Sequence, residues 1–211
     1  MLKSIKIHST ALLRQCLFLR KIISLNFSQR KLFLLGFFTL FGFGGIGLSI
    51  LYFTESITPF TFFTSGKLLW QQLLSGTVFG ISAAVAALGI VQTKWMTKEM
   101  TFFGELIEKM APTYAHAVFY SFCAGVGEEI LFRGGIQPYL GIWITSFLFI
   151  LLHGYINPYN IALTVYGIFM ILISAGLGYL FEIYGILSSI TAHFLFDLVM
   201  FISLKKMFSS K

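Results

Sequence analysis

Two glutamates and an arginine lie inside an apolar run, where lipid should exclude them. Segment 117–140 reads AVFYSFCAGVGEEILFRGGIQPYL and carries Glu128, Glu129 and Arg133. Each charge at the centre of a membrane helix costs roughly 2.5–3.5 kcal/mol on insertion scales. A chain keeps such residues when they pair, line a wet cavity or do chemistry. Two later apolar runs each carry a histidine, His153 and His193, and Asp197 follows the second by four residues. Polar residues on three apolar segments suggest one intramembrane site.

The spacings give each residue a first assignment. Glu129 and Arg133 are four apart, hence on one helix face, and an ion pair there offsets part of both insertion costs. Glu128 is turned about 100° from Glu129 and has no local partner. A carboxyl group buried without a counter-charge is suited to general acid–base work. His193 and Asp197 also share a face, so Asp197 is expected to fix the His193 tautomer or share a ligand with it. His8 and His116 have no such company and read as structural. The plain alternative is a structural ion pair with two packing histidines. Taken together, two carboxylates, two imidazoles and a further acid could activate a free water or hold one on a metal, for attack on a peptide carbonyl. Glu128, His153 and His193 are the candidate metal ligands, for zinc or another divalent ion. No H-E-x-x-H helix is present.

The elements that must position these residues are membrane helices. The chain has 211 residues, 57% hydrophobic and 11% charged, with a mean hydropathy of +0.85; soluble domains carry about 25% charge. Backbone groups in lipid must satisfy themselves, and continuous apolar runs argue against a barrel, which would alternate with period two. The fold class expected is an all-α polytopic bundle of about six transmembrane helices with interfacial helices. The spans are read at 32–54, 68–91, 113–133, 139–155, 159–181 and 185–204. GFGGIG at 42–47 lacks a preceding strand and reads as close helix packing. Small residues at 82–87 read the same way. Cys16 and Cys123 suggest neither a disulfide nor a metal pair.

Charge is uneven. Seven basic residues precede the first acid, Glu55. Residues 1–31 read as a basic amphipathic arm on the membrane surface, with an organelle targeting segment as the alternative. Segment 93–111, with three lysines and three glutamates among Trp, Met and Phe, reads as an interfacial helix. Nucleic-acid binding has no module to support it. Six spans put both basic ends on one face, the cytoplasmic one by the positive-inside rule. The expected location is a cell inner (plasma) membrane, with an organelle membrane as the alternative. One geometric demand follows. Glu128 falls late in an outward span and His153 late in an inward one, so their meeting requires shifted boundaries, or a tilt or break near 134–138.

The three motifs resemble those of the CPBP intramembrane protease family, which includes type II CAAX prenyl endopeptidases and bacteriocin-processing or immunity relatives. GEEILFR at 127–133 is similar to its EExxxR motif, FILLH at 149–153 to FxxxH, and HFLFD at 193–197 to a closing His with Asn or Asp four later. They occur in the family's order, over a protease-like core at about 113–204 within a membrane domain at 32–204. The resemblance implies an endopeptidase acting on a hydrophobic or lipidated peptide or membrane protein. Glu128 and His153 would activate water. His193 and Asp197 would steady the oxyanion or bind metal. An ionised Asp197 cannot donate to an oxyanion as Asn can. Competing readings are a non-catalytic scaffold or immunity protein on the same fold and a small proton-coupled transporter; absence of any counterpart to the polar sites in 1–112 weighs against the transporter.

Overall fold

The computed structural model describes residues 28–96 and 110–209, and every regular element among them is helical. The arm at 1–31 and the interfacial helix at 93–111 therefore fall largely outside the described residues. Helix α1 is Gln29–Glu55, with a π-helical turn at Phe38–Phe43. Then come α2, Pro59–Thr64, and α3, Leu69–Val91. Helix α4, Tyr114–Glu129, runs through a π-helical turn at Ile130–Ile136 into α5, Gln137–Leu152. Helices α6, Ile161–Tyr184, and α7, Ile186–Ser209, complete the chain.

Five segments are long and apolar enough to cross a membrane. Their outer faces carry large apolar side chains such as Phe53, Leu152 and Ile161, each more than 70% exposed. A soluble monomer does not present apolar surface on this scale. The protein is an all-α polytopic membrane protein.

The expected third and fourth spans form one 39-residue run, Tyr114–Leu152, but the run is not straight. Gly141 sits inside it at φ 71°, ψ 169°, a region open essentially to glycine alone. In a straight helix Glu128 and His153, 25 residues apart, would be separated by about 37 Å. Instead, the facing atoms of these two side chains are 3.6 Å apart. The Phe132 and Phe149 rings meet edge to face at 4.8 Å, and the Arg133 guanidinium lies over Phe149. These contacts ladder a hairpin whose bend is at Gly141. Glu128 lies 13 residues before the bend and His153 12 after it, so they reach nearly equal depth. The break needed to bring them together lies just beyond 134–138. Pro138 does not supply it, because it sits in the first turn of α5, where its missing N–H costs nothing.

Small residues let the other helices close on this hairpin. On α3, Gly76 and Gly80 pack directly against the backbone of Ser188 and Ala192 on α7; a Cβ at either would overlap a carbonyl oxygen. Ala83, Ala84 and Ala87 continue that face, each buried. The tight packing expected at 82–87 thus extends a further turn and a half toward the start of α3. Gly47, within the GFGGIG run, lies against Ile130 of the π turn. Gln72 ties the ends of α3 and α7 together: its Oε1 accepts from Leu187 N (3.1 Å) and its Nε2 donates to Lys67 O (2.9 Å).

Candidate functional site

The ion pair read from spacing is present and fully buried. Arg133 Nε donates to Glu129 Oε2 at 3.0 Å, with both side chains 0% exposed. Arg133 Nη2 donates to Ser174 Oγ on α6 at 2.9 Å. An arginine in this setting needs its charge met and its N–H groups engaged; Glu129, Ser174 and the Phe149 ring meet part of that need, and Nη1 is buried without a hydrogen-bond partner.

The second oxygen of Glu129 corrects an expectation. His193 Nδ1 lies 2.9 Å from Glu129 Oε1, so Glu129 orients the His193 ring. Asp197 was expected to do so from its four-residue spacing. It meets the other nitrogen, with Oδ2 3.5 Å from Nε2, too long for a good hydrogen bond. The reason lies between helices. Gly125 on α4 admits the backbone of Phe194 on α7 at about van der Waals contact, and this approach brings Glu129 within reach of His193.

Glu128 points to the other side of α4. Its Oε2 is 3.6 Å from His153 Nε2 and 3.9 Å from His193 Nε2. That oxygen is buried with no hydrogen-bond partner. His153 caps α5, and its Nδ1 lies 2.7 Å from the Phe149 carbonyl. The proton count follows from these partners. A carbonyl accepts only, so His153 carries its proton on Nδ1 and turns the Nε2 lone pair toward Glu128. Glu129, ion-paired to Arg133, likewise takes the Nδ1 proton of His193. Desolvation holds the His153 imidazole below its ordinary pKa, with the Phe149 carbonyl bond acting in the opposite sense, so the ring is neutral at neutral pH. Glu128 Oε2 and two imidazole nitrogens thus face one another across gaps of 3.6 and 3.9 Å. A bridging water suits gaps of this size.

There is room for it. His153, His193, Asp197, Phe149, Ser174 and Tyr155 help line a cavity that leaves about 60 Å³ for the centres of water molecules. One water needs about 10–15 Å³ on that measure, so the cavity holds a handful. Glu128 borders this space through the two histidines rather than lining it. The loop carrying His153 is pinned to α6: Asn160 caps Leu163 N at 3.0 Å, and Thr164 Oγ1 donates to Asn157 O at 2.6 Å.

All six residues singled out in the sequence, Glu128, Glu129, Arg133, His153, His193 and Asp197, therefore converge. Among the described residues no group of His, Cys, Asp or Glu side chains is drawn together as a formed metal cage, while the expected ligands Glu128, His153 and His193 do converge. His116 lies apart, its Nδ1 2.6 Å from the Thr113 hydroxyl at the start of α4. Sequence reasoning missed Ser174, Phe149 as an aromatic floor under Arg133, and Tyr155. Ser174 left one faint signal, a hydroxyl inside an otherwise apolar span.

Residues 110–199 match the family model described as type II CAAX prenyl endopeptidase Rce1-like. The matched region holds all three motifs. A curated relative, an uncharacterised protein of Bacillus subtilis (strain 168) called YpbD, is 28% identical over 127 residues, covering 57% of this chain and 65% of the relative. The chain thus spans a little less than two thirds of that relative's length. No solved structure matches it.

Proposed function

Proceeding from an Rce1-like core at residues 110–199, we propose that this chain is an intramembrane endopeptidase that cleaves a peptide bond in a hydrophobic or lipidated substrate. One observation carries the reading. A buried Glu128 oxygen without a hydrogen-bond partner faces two imidazole nitrogens beside a cavity sized for water. Water donating to Glu128 Oε2 and His153 Nε2 is turned into a nucleophile. Its oxygen adds to the scissile carbonyl as Glu128 takes its proton. The tetrahedral intermediate then collapses, the C–N bond breaks, and Glu128 returns the proton to the leaving amine. Glu129 and Arg133 act by holding His193 in place, and Asp197 closes the far side of that ring.

Glu128 Oε2 lies 3.6 Å from His153 Nε2 and 3.9 Å from His193 Nε2; these three residues would hold a divalent ion, which would supply a polarised water in place of the free one. Cleavage that survives a strong chelator identifies the free-water form; loss on chelation, restored by added zinc, identifies a metal-bound water on the same residues.

The deciding experiment uses the full chain purified into lipid vesicles. Its probes are a quenched-fluorescent farnesylated peptide and an unlipidated hydrophobic peptide. Wild-type chain should cleave at least one. Glu128→Gln and His153→Ala should each abolish cleavage while accumulating normally. Cleavage by Glu128→Gln at the wild-type rate would overturn the mechanism; a chain whose cellular role survived that substitution would instead be a scaffold or immunity protein. For location, we propose the cell inner membrane with both termini cytoplasmic, on the distribution of basic residues.

A further inference from the structure

The proposed reaction places negative charge on the carbonyl oxygen, and a hydrogen-bond donor aimed at that oxygen lowers its cost. Asp197, if ionised, offers acceptors alone. His193 has its Nδ1 engaged by Glu129, and its Nε2 faces Glu128 and Asp197. Preorganised oxyanion donors commonly account for a large share of rate acceleration in acyl transfer. Some group on the cavity wall should fill this place.

Tyr155 has the position and the chemistry. It lines the same cavity as His153, His193 and Asp197. Its ring lies parallel to that of His153, with centroids 6.3 Å apart, and packs edge to face on Tyr166 at 5.5 Å. Its backbone is fixed as well. A Cβ at Gly167 of α6 would come within 2.8 Å of the Tyr155 carbonyl oxygen, so the loop sits directly on the helix there. Burial, followed by the charges of Asp197 and Glu128, pushes the phenol pKa up to about 12. The hydroxyl therefore keeps its proton at every pH at which the site could work.

Resting on the peptidase reading above, we propose that Tyr155 is a catalytic residue whose phenolic O–H donates to the oxyanion formed when water adds to the scissile carbonyl. As the new C–O bond forms, the carbonyl π electrons move onto oxygen, and the Tyr155 hydroxyl stabilises that charge without transferring its proton. When the intermediate collapses, the C=O bond re-forms, the amine leaves with the proton carried by Glu128, and the tyrosine is unchanged.

The test is Tyr155→Phe in the same vesicle assay with the same two peptide probes. Phenylalanine keeps the ring against His153 and Tyr166 and removes the O–H alone. Loss of one oxyanion donor costs roughly a hundred- to a thousandfold in kcat. We expect that drop with KM nearly unchanged and with the wild-type unfolding temperature. Tyr166→Phe, which deletes a neighbouring buried hydroxyl outside the cavity lining, serves as the control and should cleave normally. A Tyr155→Phe rate within a few-fold of wild type would overturn the proposal, as would a rise in KM with kcat intact. A kcat loss of equal size in both variants would also overturn it, by showing a general packing effect. Failure of the peptidase reading registers elsewhere, in an inert wild-type chain or an active Glu128→Gln, and takes this proposal with it.

Discussion

Glu129 uses both of its oxygens, one on Arg133 and one on His193, and this separates it from its neighbour Glu128. Removing one member of a buried pair typically costs about 3–5 kcal/mol, because the other charge is stranded. Glu129→Ala and Arg133→Ala should each lower the unfolding temperature in detergent and the amount of folded protein in membranes. Glu128→Gln should leave both near wild type while removing activity. Equal stability for all three variants would show that the buried pair does not hold the fold. Part of this contrast was legible from spacing: Glu129 and Arg133 are four apart, and Glu128 falls off their face. The Glu129–His193 contact was not, because 64 residues separate the partners and the distance between α4 and α7 is set by glycines that carry no chemical signal of their own. Asp197 was misassigned for the same reason. Its spacing places it on the His193 face, while a closer carboxylate from another helix takes the nitrogen that fixes the tautomer.

At the scale of elements, the hairpin bend decides whether the site exists. Charge and hydropathy place helices at 113–133 and 139–155, but they do not say where the chain turns. The sequence places the break near 134–138. It falls at Gly141, one of 20 glycines, and its backbone angles, which sequence does not report, are what single it out. A Cβ at Gly141 would meet nothing within 4 Å, so an alanine there has no clash and its cost is backbone strain alone, of order 1–3 kcal/mol. Gly141→Ala should therefore destabilise the protein by about that amount. It should also cut cleavage sharply, since relieving the strain shifts the facing of Glu128 and His153. Gly45→Ala makes the matched control: Gly45 is in regular helix with the same open space around it, and alanine there should be neutral or mildly stabilising. If the two alanine variants unfold at the same temperature and cleave alike, the bend does not set the register of the site.

The whole molecule has two distinct faces, which can be traced without reference to a bilayer. At one, Lys67 N donates to Tyr184 O at 2.7 Å, and Tyr139 at the hairpin tip bonds Glu55 at the end of α1 at 3.2 Å. At the other, Lys205 Nζ donates to the Ala111 carbonyl at 3.2 Å, and Phe33 of α1 meets His116 of α4 with ring centroids 5.2 Å apart. Among the described residues the chain passes between these faces six times when the hairpin is counted as two passes, and five of its segments are individually long enough to span. Arg30, Lys31, Lys94, Lys205 and Lys206 collect at the second face, while Lys67 and Glu55 stand at the first. On the orientation proposed above, the positive-inside rule predicts that the second face is the cytoplasmic one. Cysteine labelling in intact cells tests this directly, in a chain with Cys16→Ser and Cys123→Ala. A cysteine at Lys67 should react with a membrane-impermeant maleimide, and one at Lys206 should react only after permeabilisation. A straight run from Tyr114 to Leu152 would make a single pass, put the chain's two ends on opposite sides and place Lys67 and Lys206 on the same side of the membrane. Simultaneous labelling or simultaneous protection of the two positions would therefore contradict the hairpin, and with it the depth match that lets Glu128 meet His153.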